Sequence, residues 1–404
     1  MNILFLTHRY PHPPNRGDRI RSFHFLQALA RVGEVTLATL YEEEPSPESQ
    51  VVLTKLCREV IAQPWGKYRK WWHAGWSLAG GKTMTEGLFY DRVLRNRLIK
   101  LVKERSFDVI VVFCSSMFQY ADIFTKNHKN PRVIVDLVDV DSQKWFDYAK
   151  VARFPASVLF RTEGTRLRRL ETKLEASAEA ILTVTPEEAN IYRAFHPTEK
   201  LLPVRNGVDT DYFNPDSPEI NAVAEIPHRC VFVGAMNYRA NVDGALWFLK
   251  EVWPGVRKEF PEAQFDIVGA NPSPVLYRAA EETPGVNVVG SVPDVRPYLQ
   301  HAAVTVVPLR IARGIQNKVL EGLAMRRAVV ASREAVEGIE AVSDRDLWIC
   351  DDPQEWVERI AYLFRNEPSR RESGDRGREL VKNRYAWSAC LMPLETLLTK
   401  KGKD

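Results

Sequence analysis

A chain of 404 residues is too long for one ordinary hydrophobic core, so two domains of roughly 180–200 residues are expected. Its 45% hydrophobic and 27% charged residues exclude large-scale disorder. The five scattered cysteines (Cys57, Cys114, Cys230, Cys350, Cys390) lack any CxxC spacing and exclude a disulfide scaffold, and no run approaches the roughly 18 apolar residues of a membrane span. Net charge is +4, but residues 1–200 hold 30 Lys and Arg against 23 Asp and Glu, so the first half is basic and calls for an anionic partner.

The opening NILFLTH (2–8) reads as a strand, too short an apolar run for a signal peptide, and a reducing cytoplasm is the expected compartment. A loop from Arg9 to Asp18 follows, with three prolines and only Gly17, so it is not a GxGxxG fingerprint. Residues 19–32 form a helix with Ile20, Phe23, Leu26 and Ala30 on one face, and 34–40 a second strand, a βαβ opening. Arg16 and Gly17 at that helix start suit an acceptor or phosphate pocket; a rigid connector is the alternative. His8, His12 and His24 lack the spacing of a metal site.

Residues 55–105 carry twelve Lys and Arg against four acids, interleaved with Trp65, Tyr68, Trp71, Trp72, Trp76, Phe89 and Tyr90. Such a basic aromatic insertion suits the headgroup region of an anionic bilayer, with Lys70, Trp71, Trp72 and Trp76 as the membrane-facing residues. Single-stranded nucleic acid is a weaker fit, since no nucleic-acid module accompanies it, and a packed helical insertion is the structural alternative. Strands at 107–114 and 132–138 follow, the second ending in Asp136, Asp139 and Asp141, carboxylates expected to face a ligand cleft. Asp139-Val140-Asp141 and Asp209-Thr210-Asp211 both match DxD, a short pattern able to hold a divalent ion. A helix at 161–179 and a strand at 180–185 lead to a domain boundary near residue 200.

Later strands lie at CVFVG (230–234), FDIVG (265–269) and VNVVG (286–290). In residues 303–332 an apolar run stops at Pro308, a basic loop turns at Gly314, a helix carries Val319, Leu320, Leu323 and Ala324, and a second apolar run begins at Ala328. The loop from Arg310 to Lys318 belongs at the carboxyl end of a parallel strand, where helix N-termini attract anions. Arg310, Arg313 and Lys318 suit a diphosphate, and Glu321, one turn after Lys318, suits vicinal sugar hydroxyls. That reads as a nucleoside diphosphate site; a loop with solvated charges is the alternative.

RNGVDTDYFNP (205–215) resembles the PNGVDxxxFxP signature of family 4 retaining glycosyltransferases, and RYAWSA (384–389) is similar to their terminal segment. DLVDVDSQKW (136–145) and RGIQNKVLEGLAM (313–325) look most like bacterial exopolysaccharide sugar transferases associated with PEP-CTERM and exosortase systems. The resemblance implies an α/β chain of GT-B fold. Two Rossmann-like domains with parallel sheets, an acceptor domain at 1–200 and a donor domain at 201–384, would face across a cleft, and a helix in 385–404 would cross back to the first. It implies that Glu321 holds the ribose as the second glutamate of ExxxxxxxE, whose first position is Arg313 here. The family's two diphosphate cations fall on Ala235 and Asn241, so Lys318, Arg310, Arg239 and Arg313 are the substitutes, and Gly234, Gly314 and Val292 complete the donor set. Asp139 stands near the place of the family's cleft histidine and becomes the acceptor-side carboxylate, catalytic with Arg313 and Lys318, unless it is only a helix N-cap. Asp136 joins Arg16 and Gly17 on the acceptor side. The implied reaction moves a sugar from a nucleoside diphosphate sugar to a lipid-linked or saccharide acceptor, with no metal or other cofactor, in an enzyme peripheral to the inner membrane face. Rival readings are an inactive scaffold relative, a metal-dependent transferase using Asp139 and Asp141, and a nucleotide-sugar epimerase.

Overall fold

The computed structural model describes residues 1–66, 69–125, 131–220, 225–312 and 314–400. The chain divides into two compact units: unit 1 is Met1–Arg205 with Leu391–Asp404, and unit 2 is Asn206–Cys390.

Unit 1 is built on seven parallel strands: β1 (Asn2–Thr7), β2 (Glu34–Tyr41), β3 (Glu59–Pro64), β4 (Val109–Phe113), β5 (Arg132–Val138), β6 (Ala180–Thr183) and β7 (Leu201–Pro203), in the order β3-β2-β1-β4-β5-β6-β7. Unit 2 has β8 (Ile226–Val233), β9 (Gln264–Val268), β10 (Val286–Gly290), β11 (Ala302–Val307), β12 (Ala328–Ser332) and β13 (Trp348–Cys350), in the order β10-β9-β8-β11-β12-β13. The central strands are near-continuous apolar runs because helices cover both faces. Leu4, Leu6, Ile110 and Val112 are wholly buried in unit 1, and Phe232, Val304, Val306 and Val330 in unit 2. Strand order reverses between β1 and β4 and between β8 and β11, and ligands gather at the carboxyl ends of such switch points.

The helices that matter for the site are α1 (Gly17–Val32), α2 (Arg69–Ala79), α3 (Met84–Leu88), α4 (Arg92–Glu104), α5 (Asp141–Val151) and α6 (Ala156–Ser177) in unit 1, and α7 (Arg239–Trp247), α8 (Asn317–Ala324) and α9 (Glu367–Arg384) in unit 2. The chain returns to unit 1 within α10 (Trp387–Thr399), where Glu395 pairs with Arg31 and Arg132 donates to the carbonyls of Leu397 and Leu398. That last contact satisfies carbonyls the helix end leaves free.

Residues 55–105 are not one insertion. β3 pairs with β2 from Thr36 opposite Glu59 to Tyr41 opposite Pro64, and α4 buries Leu94, Leu98 and Leu101. Only the pair of helices α2 and α3 stands apart from this βα repeat. EVIAQP is a weak strand signal, because an edge strand needs only one apolar face. Helix α6 begins at Ala156, ahead of the predicted residue 161, since ASVLF continues the helix toward its N-terminus.

Candidate functional site

In unit 2 the chain after β8 turns at Gly234, and a Cβ at Gly269, which has φ 144°, would collide with the Gly234 carbonyl. Gly234 itself has no room for a side chain: its Cβ would lie 2.7 Å from Asn241 Nδ2 and 3.4 Å from Lys318 Cε. Lys318 and Asn241 therefore converge on this turn. Asn241 is buried, donates Nδ2 to the Ala235 carbonyl at 2.9 Å, and leaves its Oδ1 without a partner among the described residues. Asn241 stands where the resemblance implies a cation, and here it braces the turn instead.

Lys318 sits in the first turn of α8 and donates to Gln316 Oε1 at 3.1 Å. Burial lowers its pKa, with Glu321 opposing. Glu321, one turn on, is pushed up to about 7 by burial, with Lys318 opposing. Among the described residues its carboxylate has no hydrogen bond or ion pair, so it is a desolvated acceptor with both oxygens to offer. α7 is pressed against the end of β11 because Gly244 leaves no space between helix and Pro308 carbonyl. Beyond Pro308, Gly314 takes φ 64°, a turn that favours glycine, and Arg310 is exposed with no ion pair among the described residues.

The other donor candidates are placed less directly. Arg239 is exposed at the start of α7, beside a hollow of about 560 Å³ lined also by Asn237, Asn271 and Ser273. Val292 is partly buried against the apolar cluster of Val231, Val233 and Val268, so its side chain is packing. Arg313 lies outside the described residues.

The RNGVD motif is structural at its glycine. A Cβ on Gly207 would lie 2.9 Å from Trp387 N and from the Tyr385 carbonyl oxygen, and Val208 bridges to Ala386, so the two motif segments meet. Asp209 accepts from the backbone N–H groups of Asp211 and Tyr212 at 3.1 and 2.9 Å, which makes that DxD a turn.

In unit 1, Asp136 corrects the expectation that it faces a cleft. It is wholly buried and receives both Nε and Nη2 of Arg21, at 2.7 and 2.9 Å, while Arg21 Nη1 donates to the Val204 carbonyl at 2.8 Å. Strain marks the strand ends beside it: Cys114 after β4 has φ 74° and Val138 at the end of β5 has φ 66°. The loop beyond Val138 is held by two glutamates. Glu188 accepts from Val140 N at 2.7 Å, and Glu171 accepts from Ser142 N at 2.9 Å and Ser142 Oγ at 2.5 Å.

Asp139 is exposed on that loop. The cap of α5 is Val140, with no side-chain hydrogen bond, so Asp139 is not its N-cap. Asp141 is pushed up to about 6 by burial and accepts from Ser115 Oγ at 3.1 Å. Arg16 is exposed, 3.3 Å from Asp18, and Gly17 has open space where a side chain would go, so no steric need fixes glycine there.

A constellation missed in the sequence lies at the end of β1. Arg9 Nη1 donates to Asp18 Oδ2 at 2.5 Å, and His8 Nε2 lies 3.3 Å from the same oxygen. The His8 ring stacks on Phe113 with centroids 5.8 Å apart, and burial lowers its pKa. Against the upward push of burial, hydrogen bonds from His8 and Arg9 hold the Asp18 carboxyl well below the usual range. Three polar residues flanking a strand-to-helix loop are its only mark in the sequence, and their spacing is not that of a metal site.

On α2, Trp71, Trp72 and Trp76 are 61%, 73% and 73% exposed. The opposite face packs tightly on Gly87 of α3, whose Cβ would lie 2.6 Å from Ser77 Cβ and 2.8 Å from Ala74 Cα. The indoles surround a hollow of about 560 Å³ floored by Gly75 and Ala79. Lys70 is drawn inward, with Nζ 4.1 Å from the Trp65 ring centroid. Tyr68 lies outside the described residues. Among the described residues no helix is long and apolar enough to cross a membrane.

Residues 227–366 match the family model described as glycosyl transferases group 1. Across 396 residues, 95% of this chain and 96% of the relative, the chain is 21% identical to an uncharacterized 44.6 kDa protein in the cps region of Klebsiella pneumoniae. The fold is similar to that of HepE of Anabaena in complex with UDP (TM-score 0.67, 10% identity, 99% and 100% of the two chains). It is also similar to sucrose-phosphate synthase of Thermosynechococcus elongatus (TM-score 0.65, 18% identity, 98% of each chain). This chain has the GT-B fold, two Rossmann-like units on parallel sheets, and its second unit carries the group 1 glycosyl transferase match.

Proposed function

We propose that this chain is a retaining, metal-independent hexosyltransferase. It moves a sugar from a nucleoside diphosphate sugar to a lipid-linked or saccharide acceptor in exopolysaccharide assembly of the PEP-CTERM/exosortase type. The observation that carries this reading is the pairing of Lys318 and Glu321 at the start of α8, over the Gly234 turn and inside the matched segment. The ammonium and the positive end of α8 face the charge that develops on the departing diphosphate. Glu321 accepts from the ribose hydroxyls, for which its unpartnered carboxylate is suited. Asp139, exposed on its braced loop, takes the acceptor proton. The solved neighbour in complex with UDP and the relative in a cps region support UDP as the first donor nucleotide to test and polysaccharide assembly as the setting.

The test is a thermal-shift screen against UDP, GDP, ADP and their sugar conjugates, with and without EDTA, followed by transfer assays. Ligand at 100 times its Kd adds about 2.7 kcal/mol, read as a raised Tm. The expected result is a shift with one nucleotide, insensitive to EDTA and lost in Lys318→Ala and Glu321→Ala. Transfer in Lys318→Ala should fall about 10²–10³-fold, the loss of one donor to a developing charge. Absence of any shift would favour a scaffold relative, a reading that Ala235 and Asn241 at the places of basic residues support.

The indole face of α2 supports peripheral association with the anionic inner face of the cell membrane. Co-sedimentation with vesicles containing phosphatidylglycerol should be lost when Trp71, Trp72 and Trp76 are all replaced by Ser. Equal binding of wild type and the triple variant would remove α2 from the reading.

A further inference from the structure

The carboxyl ends of the unit 2 strands hold the donor candidates, and the amino ends hold something else. Glu225 precedes β8, Gln300 precedes β11, and Arg326 and Arg327 lead into β12; with Arg370 and Arg371 of α9 they line a cavity of about 340 Å³. α9 lies hard against this edge because a Cβ on Gly374 would collide with the Arg326 carbonyl, and Arg326 takes φ 58°, a strained conformation for a side-chain-bearing residue.

The charges in this cavity do not balance. Arg327 Nη1, at 3.0 Å, and Arg370 Nη2 both donate to the single carboxylate of Glu225. Both guanidinium side chains are largely buried, at 13% and 8% exposure, and their other recorded bonds go to neutral carbonyls: Met325, Gln300 and Ala302 for Arg327, Leu363 for Arg370. Asp375 also lines the cavity, but it is exposed and pairs with Arg326, as Asp216 does, while Glu367 pairs with Arg371, so none of the three reaches Arg327 or Arg370. Two buried cations thus share one anion among the described residues, an arrangement that costs free energy unless another anion joins them. One further atom points the same way: the Arg370 Nε donor is buried with no hydrogen-bond partner among the described residues. Burial lowers the Arg327 pKa, and Arg370, Arg326 and Arg371 push it the same way against Glu225.

We propose that this cavity binds a small phosphate-bearing anion, either free phosphate or a phosphomonoester, on Arg327, Arg370 and Arg371. Arginine is the residue whose planar fork matches phosphate oxygens, and a tetrahedral dianion supplies the missing charge. The site is separate from the Lys318–Glu321 pair, since it lies at the opposite end of the same strands.

The experiment measures the melting temperature of the full chain with inorganic phosphate, glycerol 3-phosphate or NaCl at matched ionic strength. It uses wild type, Gln300→Glu, Arg371→Ala and Lys318→Ala. Gln300→Glu supplies the absent negative charge from within; it should raise Tm without ligand and weaken phosphate binding by roughly tenfold or more, about 1.4 kcal/mol or above. Arg371→Ala, at an exposed rim position, should keep the wild-type Tm and lower phosphate affinity, and it decides the matter if Gln300→Glu does not fold. Lys318→Ala should leave the phosphate shift intact. Tighter binding of glycerol 3-phosphate assigns the site to an ester, and the reverse assigns it to free phosphate. The proposal is overturned if phosphate stabilises no more than chloride, or if the shift is lost in Lys318→Ala and kept in Gln300→Glu, which would place the anion at the start of α8.

Discussion

Arg21 and Asp136 are 115 residues apart in sequence and form a two-pronged ion pair with no solvent exposure to speak of, 1% and 0%. Taking two charges out of water is expensive, and removing only one partner leaves the other buried and unpaired. Arg21→Ala or Asp136→Asn should therefore cost about 3–5 kcal/mol in urea unfolding, and replacing both with apolar residues should cost far less. A small loss from either single change would mean that water reaches the pair. This pairing was not legible in the sequence. Asp136 ends a strand, and a carboxylate at a strand end reads as facing a ligand; only the fold brings Arg21 of α1 across to claim it. Lys318 and Glu321 were legible for the opposite reason: one helical turn separates them, so local geometry alone puts them side by side.

The loop between β5 and α5 is held from outside by Glu171 of α6 and Glu188, and by the left-handed turn at Val138. Glu171 is pushed up to about 8 by burial, with its hydrogen bonds from Ser142 opposing. A carboxyl whose pKa is higher folded than unfolded keeps its proton in the native state over the window between the two values. The native chain then binds more protons than the unfolded chain from about 4.5 to 8, so stability falls as pH rises through that window. Glu171→Gln, a permanently neutral stand-in, should flatten the fall in Tm between pH 5 and 8, and an unchanged slope would assign it to Asp141 and Glu321. The strands were readable as elements because β-branched apolar runs are visible one residue at a time. The brace on this loop was not, since nothing in GTRLRRLETK tells that a glutamate takes the buried side with Leu167 while Arg169 and Lys173 stay exposed.

Each unit has its own sheet and its own buried core. Separate cores predict separate melting, and calorimetry should resolve two transitions. On the proposed function, the donor nucleotide should raise the unit 2 transition and leave the other in place; a single transition shifted as a whole would show that the units unfold as one. Unit 2 is also an uninterrupted segment, Asn206–Cys390, set inside a unit 1 whose last residues return after it. Its two ends are stitched to each other, Val208 to Ala386 and Cys390 Sγ to the Asn206 carbonyl. A segment whose entry and exit coincide behaves as a cassette. Evolution or an engineer can exchange it for another module through one doorway, while the unit 1 host keeps every strand of its sheet.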